Sequence, residues 1–331
     1  MIQVVLEAPG KLAERSAGEP HAGPGEALIR MEKIGVCGSD FHAFAGKHPI
    51  YTYPRVLGHE LAGVVMAVPD NDRGIRPGDR CAIEPYISCG KCRACLRGRN
   101  NCCEHLQVIG IHVDGGMQEF VAVPVNLLHK SEVLTLDQLA LVETLGIGAH
   151  AVDRSELQAG EEALVVGAGP IGIAVAQFAS ARGAAVHVVE RNEWRRKFVE
   201  QMGYSTSLGP DDRRADVVFD ATGSSEAMSS SLELVATCGR LVLVGLTRDP
   251  IQINDSLFHR REITVLASRN SYNLFPRIIR QIEERAIDTS LWITHRIPLE
   301  DVASRFPDLP GQQTLIKAIV DVHDGNGRTA E

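Results

Sequence analysis

The chain has 331 residues, of which 44% are hydrophobic and 23% charged, so it is long enough for two domains with buried cores. Its formal net charge of −8 gives no electrostatic basis for binding nucleic acid or an anionic membrane surface, and no apolar run is long enough to span a bilayer. Residues 1–6 predict a strand and lack the basic start and apolar core of a signal peptide, which favours a cytoplasmic protein.

Residues 1–150 combine short β-like runs with many turn residues. Segments 27–31 and 62–68 predict strands, and Gly- and Pro-containing turns separate such runs. The pattern predicts an irregular β-barrel-like domain. Short β-like runs return near the end of the chain, so we assign 290–331 to the same domain. The polar tail from Asp324 is expected to fray.

Four potential metal ligands are dispersed along this domain: Cys37, His59, Glu60 and Glu143. A mixed set of thiolate, imidazole and carboxylate is typical of a catalytic zinc site, which keeps one position open for water or substrate. Spacing alone does not separate this hypothesis from a surface or helix-capping pair of His59 and Glu60. Both interpretations stay open on the residues alone.

A compact cysteine lobe is predicted at residues 86–105. Its four candidate ligands, separated by two, two and seven residues, are Cys89, Cys92, Cys95 and Cys103. In a long chain without a secretory signal, such a cluster favours metal binding over disulfides. Four thiolates close a tetrahedral zinc shell and leave no open position, which predicts a structural zinc site. The alternatives are unmetallated cysteines, an iron–sulfur cluster, or Cys102 as ligand in place of Cys103.

From Glu156 onward, strand-like and helix-like segments alternate. The predicted strands are 163–166, 185–189, 216–219, 241–244 and 262–266, and a helix is predicted at 171–181. Alternation of this kind predicts an α/β fold with a doubly wound parallel sheet. We assign residues 151–289 to this second domain.

The turn between the first strand and helix of this domain carries a glycine fingerprint. It runs Gly167, Ala168, Gly169, Pro170, Ile171, Gly172. The first glycine permits the tight turn, the second the approach of a pyrophosphate, and the third close packing of helix on strand. The free N–H groups of the helix N-terminus would attract the phosphates.

Glu190 ends the next predicted strand. A carboxylate there accepts hydrogen bonds from a ribose 2′-hydroxyl and repels a 2′-phosphate, which favours NAD over NADP. Arg191 and Arg195 weaken this preference, because a nearby arginine accommodates the phosphate. The alternative is a tight turn without a ligand and a merely solvated Glu190.

The chain resembles the zinc-containing medium-chain dehydrogenase/reductase (alcohol dehydrogenase) family. Three features carry this resemblance by their identity and their order along the chain: the segment Gly58-His59-Glu60, the four-cysteine lobe and the glycine fingerprint. The resemblance covers nearly the whole chain. Segments 53–60 and 108–116 are similar to L-galactonate 5-dehydrogenase-like members of its polyol, threonine and sugar-acid branch. The family resemblance implies a GroES-like catalytic domain and a Rossmann domain. It also implies one catalytic zinc ion, one structural zinc ion and NAD as cofactors, and assembly as a homodimer or homotetramer.

The resemblance also implies roles for the dispersed ligands. Cys37 and His59 match catalytic zinc ligands, and Glu60 matches the adjacent carboxylate that can enter or leave the shell. Glu143 falls where this branch places a further glutamate, in the place of a second cysteine. A carboxylate makes the site richer in oxygen, which suits a polyol that binds through neighbouring hydroxyls.

Further residues are implied in proton transfer and cofactor binding. Ser39 and His42 match the proton-relay positions of the family. The residues matching the nicotinamide side are Val244, Gly245, Leu246, Ser268 and Arg269. The chain departs from the family pattern before Asp220, where residues 209–214 leave no room for a helix that relatives usually carry. This departure is expected to alter the adenine-side wall.

Together, these expectations predict an enzyme that oxidises a secondary alcohol of a polyol or sugar acid. Zinc would lower the pKa of the hydroxyl, the proton would leave through Ser39 and His42, and a hydride would pass to the nicotinamide. Two alternatives are an NADPH-linked carbonyl reductase of the same fold and a non-catalytic binding protein that retains the fold. The polar residues that favour a polar or anionic small-molecule substrate are His48, Tyr51, Arg269 and Asn270.

Overall fold

The computed structural model describes residues 1–323, so the predicted fraying of the tail lies outside the described residues. The strands are β1 (Ile2–Ala8), β2 (Lys11–Ser16), β3 (Glu26–Val36), β4 (Arg55–Val56), β5 (Glu60–Ala67), β6 (Arg80–Ile83), β7 (Tyr86–Ile87), β8 (Gln107–Val108), β9 (Phe120–Pro124), β10 (Leu128–Lys130), β11 (Glu162–Val166), β12 (Ala185–Val189), β13 (Ser205–Ser207), β14 (Ala215–Asp220), β15 (Val235–Leu243), β16 (Thr264–Ala267), β17 (Ile293–Pro298) and β18 (Lys317–Asp321). The helices are α1 (Gly38–Phe44), α2 (Arg93–Leu96), α3 (Leu136–Ala140), α4 (Val142–Ser155), α5 (Pro170–Ala181), α6 (Glu193–Gln201), α7 (Ser225–Ser231), α8 (Asp255–Arg260), α9 (Phe275–Glu283) and α10 (Val302–Arg305). None of the described helices is long and apolar enough to cross a bilayer.

The chain divides into two compact units. Unit 1 comprises Met1–Glu143, Phe275–Glu283 and the described residues from Thr289 onward, and unit 2 comprises Thr144–Leu274 and Glu284–Asp288. The first boundary therefore lies within α4, whereas the sequence analysis places it after residue 150.

Helix α9 also differs from its sequence assignment, because it belongs to unit 1 and not to the dinucleotide-binding domain. Its buried residues recur at helical spacing, namely Phe275, Ile278, Ile279 and Ile282. The ring of Phe275 lies 5.1 Å from that of His129, and Ser131 donates a hydrogen bond to Glu283. These contacts hold the helix on unit 1.

Unit 1 is rich in short strands, as the sequence predicts, and most of them pair antiparallel. Its largest sheet has the order β10-β6-β5-β3-β18-β17, with β9 also paired to β3, and a second sheet has the order β2-β1-β4. Strand β3 buries Ala27, Ile29 and Met31 in alternation, so one face of the strand joins the core. Residues from both sheets share one apolar cluster.

Unit 2 contains a six-stranded parallel sheet with the order β13-β12-β11-β14-β15-β16, which confirms the predicted α/β fold. The buried run Ala163–Val165 is typical of a strand covered on both faces. The chain runs outward on one side of β11 and returns through β14 on the other. In sheets of this kind ligands bind at the carboxyl ends of the strands beside such a switch point. Residues 208–214 connect β13 to β14 without a helix, as predicted.

Candidate functional site

The turn from β3 into α1 positions Cys37. The amide N–H of Cys37 donates to Oδ2 of Asp40 at 2.9 Å, and Cys37 is the last residue before the helix. A carboxylate in the first helical turn satisfies a backbone donor and fixes the strand-to-helix turn. Asp40 is fully buried, and this burial raises the pKa of its carboxyl.

Cys37, His59 and Glu60, which we call the Cys37 cluster, converge in unit 1. One potential ligand atom from each residue lies within 4.8 Å of those of the other two. The convergence follows from strand pairing, because Gly35 of β3 lies opposite Glu60 of β5. A Cβ atom at residue 35 would lie 1.9 Å from Oε2 of Glu60, so only glycine leaves room for the carboxylate.

The imidazole of His59 lies between Asp40 and Ser39. Its Nδ1 lies 3.7 Å from Oδ1 of Asp40, and its Nε2 lies 3.4 Å from Oγ of Ser39. Burial by itself lowers the pKa of His59, but the charges of Asp40 and Cys37 outweigh it and raise the pKa. At this distance the Asp40 carboxyl acts on the ring through its charge and does not form a hydrogen bond with Nδ1.

Lys317 forms a buried ion pair with Glu60. Its Nζ donates to Oε1 at 2.6 Å and to Oε2 at 2.7 Å, and both side chains are only 1% exposed. The same ammonium donates to the carbonyl of Val36 at 3.3 Å. Sequence analysis missed Lys317, although a lysine within an otherwise apolar strand is a signal for a buried charge with a partner.

Glu143 lies outside the group of three but close to it. It is the second residue of α4, its side chain is buried, and its Oε1 accepts a hydrogen bond from the hydroxyl of Tyr86. Burial and the nearby Glu143 charge raise the pKa of Tyr86, so that the hydroxyl stays protonated. Sequence analysis missed Tyr86 and Asp40, since neither residue stands in a motif with a metal-ligand spacing.

The buried charges around the Cys37 cluster are unbalanced. When ionised, the three carboxylates of Asp40, Glu60 and Glu143 against the one ammonium of Lys317 leave a net charge of −2 with a neutral His59. Protonation of His59, whose pKa is raised, reduces this to −1, before any charge on Cys37. Burial raises the pKa of Glu143 as it does that of Asp40, because a buried carboxylate without a cation is unfavourable. A divalent cation would supply the missing charge, so the donor set and its electrostatics fit zinc.

The predicted relay and substrate residues have different surroundings. Ser39 lies beside His59, whereas His42, one turn further along α1, is exposed. The hydroxyl of Tyr51 donates to the carbonyl of Gly110 at 2.6 Å, so this tyrosine holds the loop that contains Gly110. The ring of His48 lies edge-on to that of Tyr51, with 4.7 Å between the ring centroids.

The four predicted lobe cysteines come together in unit 1. The sulfur atoms of Cys89, Cys92, Cys95 and Cys103 all lie within 4.8 Å of one another. Cys102 is exposed and does not belong to this group. No disulfide links any of the eight cysteines, all of which fall within residues 1–323. The structure therefore favours Cys103 over Cys102 as the fourth member.

Backbone N–H groups surround the lobe sulfurs. Hydrogen bonds from the backbone, that of Cys95 first, lower the pKa of Cys92 to about 6. Burial raises the pKa of Cys95 to about 12. The backbone donors therefore stabilise Cys92 as the thiolate, the form that binds zinc, whereas Cys95 would lose its proton on metal binding. The donor set therefore fits a structural metal ion.

Unit 2 carries a cavity of about 640 Å³ at the carboxyl ends of its parallel strands. Among the predicted cofactor residues, those that line it are Gly167, Gly169, Glu190 and Arg195, together with Arg191. A Cβ at Gly169 would meet no protein atom within 4 Å, so the space beside it is open to a ligand. Gly172 serves packing instead, since its Cβ would lie 1.8 Å from the carbonyl oxygen of Gly167.

The carboxylate of Glu190 is fixed by the backbone. Its Oε2 accepts from the N–H of Ala168 and its Oε1 from that of Asn192, each at 2.7 Å. These bonds hold the negative charge beside the glycine turn, and Pro170 and Ile171 begin α5 directly after it. The arrangement fits the ribose end of a dinucleotide.

The residues predicted on the nicotinamide side follow the ends of β15 and β16. The N–H groups of Val244 and Gly245 donate to the carbonyl of Asp220, and Leu246 is exposed. The N–H of Ser268 donates to the carbonyl of Leu243 at 3.0 Å, and Arg269 is the next residue. None of the five lines the cavity that contains Gly167, although all follow carboxyl ends of the same sheet.

Comparisons with known proteins cover most of the chain. The profile of the alcohol dehydrogenase GroES-like domain matches residues 23–133, and that of zinc-binding dehydrogenase matches residues 170–284. L-galactonate-5-dehydrogenase of Escherichia coli (strain K12) is 36% identical over 332 residues, which cover 96% of this chain and 98% of the relative.

Two solved structures are similar to this chain over nearly its whole length. A protein from Sinorhizobium meliloti 1021, described as a zinc-binding dehydrogenase bound to NADP, is 31% identical with a TM-score of 0.88, covering 97% of this chain and 98% of its own. A short chain alcohol dehydrogenase from Escherichia coli CFT073, complexed with NADH, is 27% identical with a TM-score of 0.91, covering 97% and 99%.

Proposed function

The chain belongs to the zinc-binding alcohol dehydrogenase family, and from this premise we propose that it is an NAD-dependent zinc enzyme that oxidises a secondary hydroxyl of a polyol or sugar acid. The observation that carries the proposal is the convergence of Cys37, His59 and Glu60, with potential ligand atoms within 4.8 Å of one another. A thiolate, an imidazole and a carboxylate make a catalytic rather than a structural set.

Two metal sites are part of this proposal. Cys37 and His59 would hold the catalytic zinc ion with a carboxylate oxygen from Glu60 or Glu143, and the four-cysteine lobe would hold a structural one. A bound catalytic zinc supplies Lewis-acid chemistry, which lowers the pKa of a substrate hydroxyl.

The chain's own residues then move the proton. The charge of Asp40 lies beside Nδ1 of His59, and Nε2 lies on the side of Ser39. Oγ of Ser39 accepts the proton of the substrate hydroxyl and releases its own proton towards His42, which is exposed and passes it to solvent. A bound nicotinamide would supply the redox chemistry as the acceptor of the hydride.

NAD is proposed as the cofactor because of Glu190. Its carboxylate is fixed at the edge of the glycine-lined cavity, where it would bind a ribose 2′-hydroxyl and repel a 2′-phosphate. The similar solved structures contain NADP in one case and NADH in the other, so the proposal rests on Glu190 itself.

A second candidate function is an NADPH-linked carbonyl reductase with the same fold. Arg191 and Arg195 line the same cavity as Glu190, and an arginine there could pair with a 2′-phosphate. The two candidates differ in cofactor and in direction, so one set of assays separates them.

The substrate proposed is a sugar acid or polyol, because the relative that is 36% identical is named for the oxidation of L-galactonate. A carboxylate near the metal also suits a substrate with neighbouring hydroxyls. L-Galactonate, other aldonates and the corresponding polyols are therefore the first compounds to assay.

The test follows the absorbance of the reduced nicotinamide with purified protein, a panel of aldonates, polyols, threonine and simple secondary alcohols, and NAD or NADP. A second sample is treated with a chelator and then reloaded with zinc. We expect turnover with NAD and a sugar-type substrate, loss of turnover on chelation, and recovery with zinc.

Other outcomes would change the assignment. Faster turnover with NADPH and a keto acid than with NAD and the alcohol would favour the reductase. Turnover that survives complete removal of metal would refute the zinc-dependent reaction.

A further inference from the structure

Tyr86 packs in the four-cysteine lobe and also bonds Glu143, a residue beside the Cys37 cluster. It is the first residue of β7 and pairs with Val108 of β8, which closes the four-cysteine lobe. Its ring belongs to the apolar core of the lobe, whose other members are Cys92, Cys95, Cys103, Leu106 and Val108. The position of the ring is therefore set by the packing of the lobe.

The hydroxyl of Tyr86 points to Glu143, which lies close to the Cys37 cluster. It donates to Oε1 of Glu143, and the two side chains are buried although they are 57 residues apart in sequence. One oxygen of Glu143 is thereby fixed on the tyrosine, which sets the direction of the second oxygen. Partners that orient a ligand carboxylate typically change metal affinity by about 10- to 100-fold when they are removed.

We propose that Tyr86 is a positioning residue that couples the four-cysteine lobe to metal binding at the Cys37 cluster. The lobe holds the ring, and the hydroxyl holds Glu143 in the orientation in which it assists the metal. The inference rests on the proposed function, in which both clusters hold metal. It predicts that damage to the packing of the lobe weakens binding at the Cys37 cluster, even when the lobe keeps its own metal.

The first test uses Tyr86→Phe, which keeps the ring and removes the hydroxyl. Metal-free protein is loaded with Co²⁺, whose absorption differs between a four-sulfur site and a mixed site, and the affinity of each site is measured by competition with a chelator. We expect the mixed site to weaken by about tenfold and its spectrum to shift, while the four-sulfur site is unchanged. The matched control is Tyr204→Phe, which removes a tyrosine hydroxyl bonded to Ser180 in unit 2.

The second test measures the coupling. Leu106→Ala reduces the lobe core without altering a cysteine. It should weaken Co²⁺ binding at the mixed site in the wild-type background and have no further effect in the Tyr86→Phe background. Should Tyr86→Phe fail to fold, Leu106→Ala alone decides: an unchanged mixed site overturns the inference.

The remaining outcomes separate the inference from the proposed function. If the wild-type chain binds one Co²⁺, held by four sulfurs, the proposed function fails and the inference fails with it. If the wild type binds two and Tyr86→Phe leaves the affinity and spectrum of the mixed site unchanged, only the inference is overturned.

Discussion

At the residue scale, Lys317 and Glu60 form a buried ion pair in which each charge depends on the other. One ammonium faces both oxygens of one carboxylate, and the two side chains are 257 residues apart in sequence. Such a pair adds little net stability, because both charges lose their water on burial. Removal of one partner is costly, since the other charge stays buried without compensation.

We predict that Lys317→Met lowers the free energy of unfolding by about 3–5 kcal/mol, because Glu60 loses its cation. Urea denaturation of the metal-free protein measures this, since a metal ion bound at the Cys37 cluster would partly replace the lost ammonium. The matched control is Lys33→Met on the adjacent strand, where Asp321 keeps a second partner in Arg296. The control should lose about 1 kcal/mol or less. Equal losses in the two variants would show that Glu60 does not depend on Lys317.

At the scale of elements, β3 organises the Cys37 cluster. Its residue Gly35 lies opposite Glu60 of β5 on one side and Ile319 of β18 on the other. The same strand ends at Val36, so that Cys37 begins the turn into α1. A shift of one residue in the pairing of β5 with β3 would turn Glu60 to the other face of the sheet, and the same shift of β18 would turn Lys317 away from it. The register therefore decides whether the cluster can form.

In the glycine turn between β11 and α5, Gly172 is needed for packing and Gly169 for cofactor binding. We predict that Gly172→Ala lowers the free energy of unfolding by about 1–3 kcal/mol or more, because its Cβ would overlap the carbonyl of Gly167. Gly169→Ala should keep normal stability, since its Cβ meets open space, but should weaken NADH binding. Thermal unfolding and NADH fluorescence titration measure the two effects. Equal stability of the two variants would contradict the assignment of roles.

The order of elements in unit 2 was predictable, and their ends were not always so. The predicted strand 185–189 coincides with β12, whereas the strand predicted at 262–266 begins only at Thr264. Glu262 adopts a φ of 49°, a turn conformation that interrupts the chain before the strand. A run of β-favouring residues indicates a strand but does not reveal where a turn cuts it.

At the scale of the whole molecule, the net charge of −8 bears on the choice between an anionic and a neutral substrate. If an aldonate is the substrate, long-range repulsion should slow its approach, and salt should relieve it. We predict that kcat/KM for an aldonate rises about two- to threefold as salt increases to about 0.15 M. A neutral polyol of equal length serves as the control and should show no change. A fall in kcat/KM with salt would show that local cations, such as Arg269, outweigh the net charge.

Family and fold class were within reach of the sequence, because the evidence for them is local. The family resemblance is confirmed by the two profile matches and by a relative that is 36% identical. The short spacing of Cys89, Cys92 and Cys95 brings their sulfur atoms close together within one local segment. The glycines of the fingerprint likewise act within a single turn.

By itself, then, the sequence determined the two-part α/β and β-rich organisation, the four-cysteine lobe and the glycine turn, all of which depend on short-range spacing and periodicity. Only the tertiary structure decided that Cys37, His59 and Glu60 meet, that Lys317 neutralises Glu60, and that Tyr86 bonds Glu143. These contacts depend on strand register and on side-chain packing between distant segments. No local pattern encodes them, because they exist only once the sheets have paired.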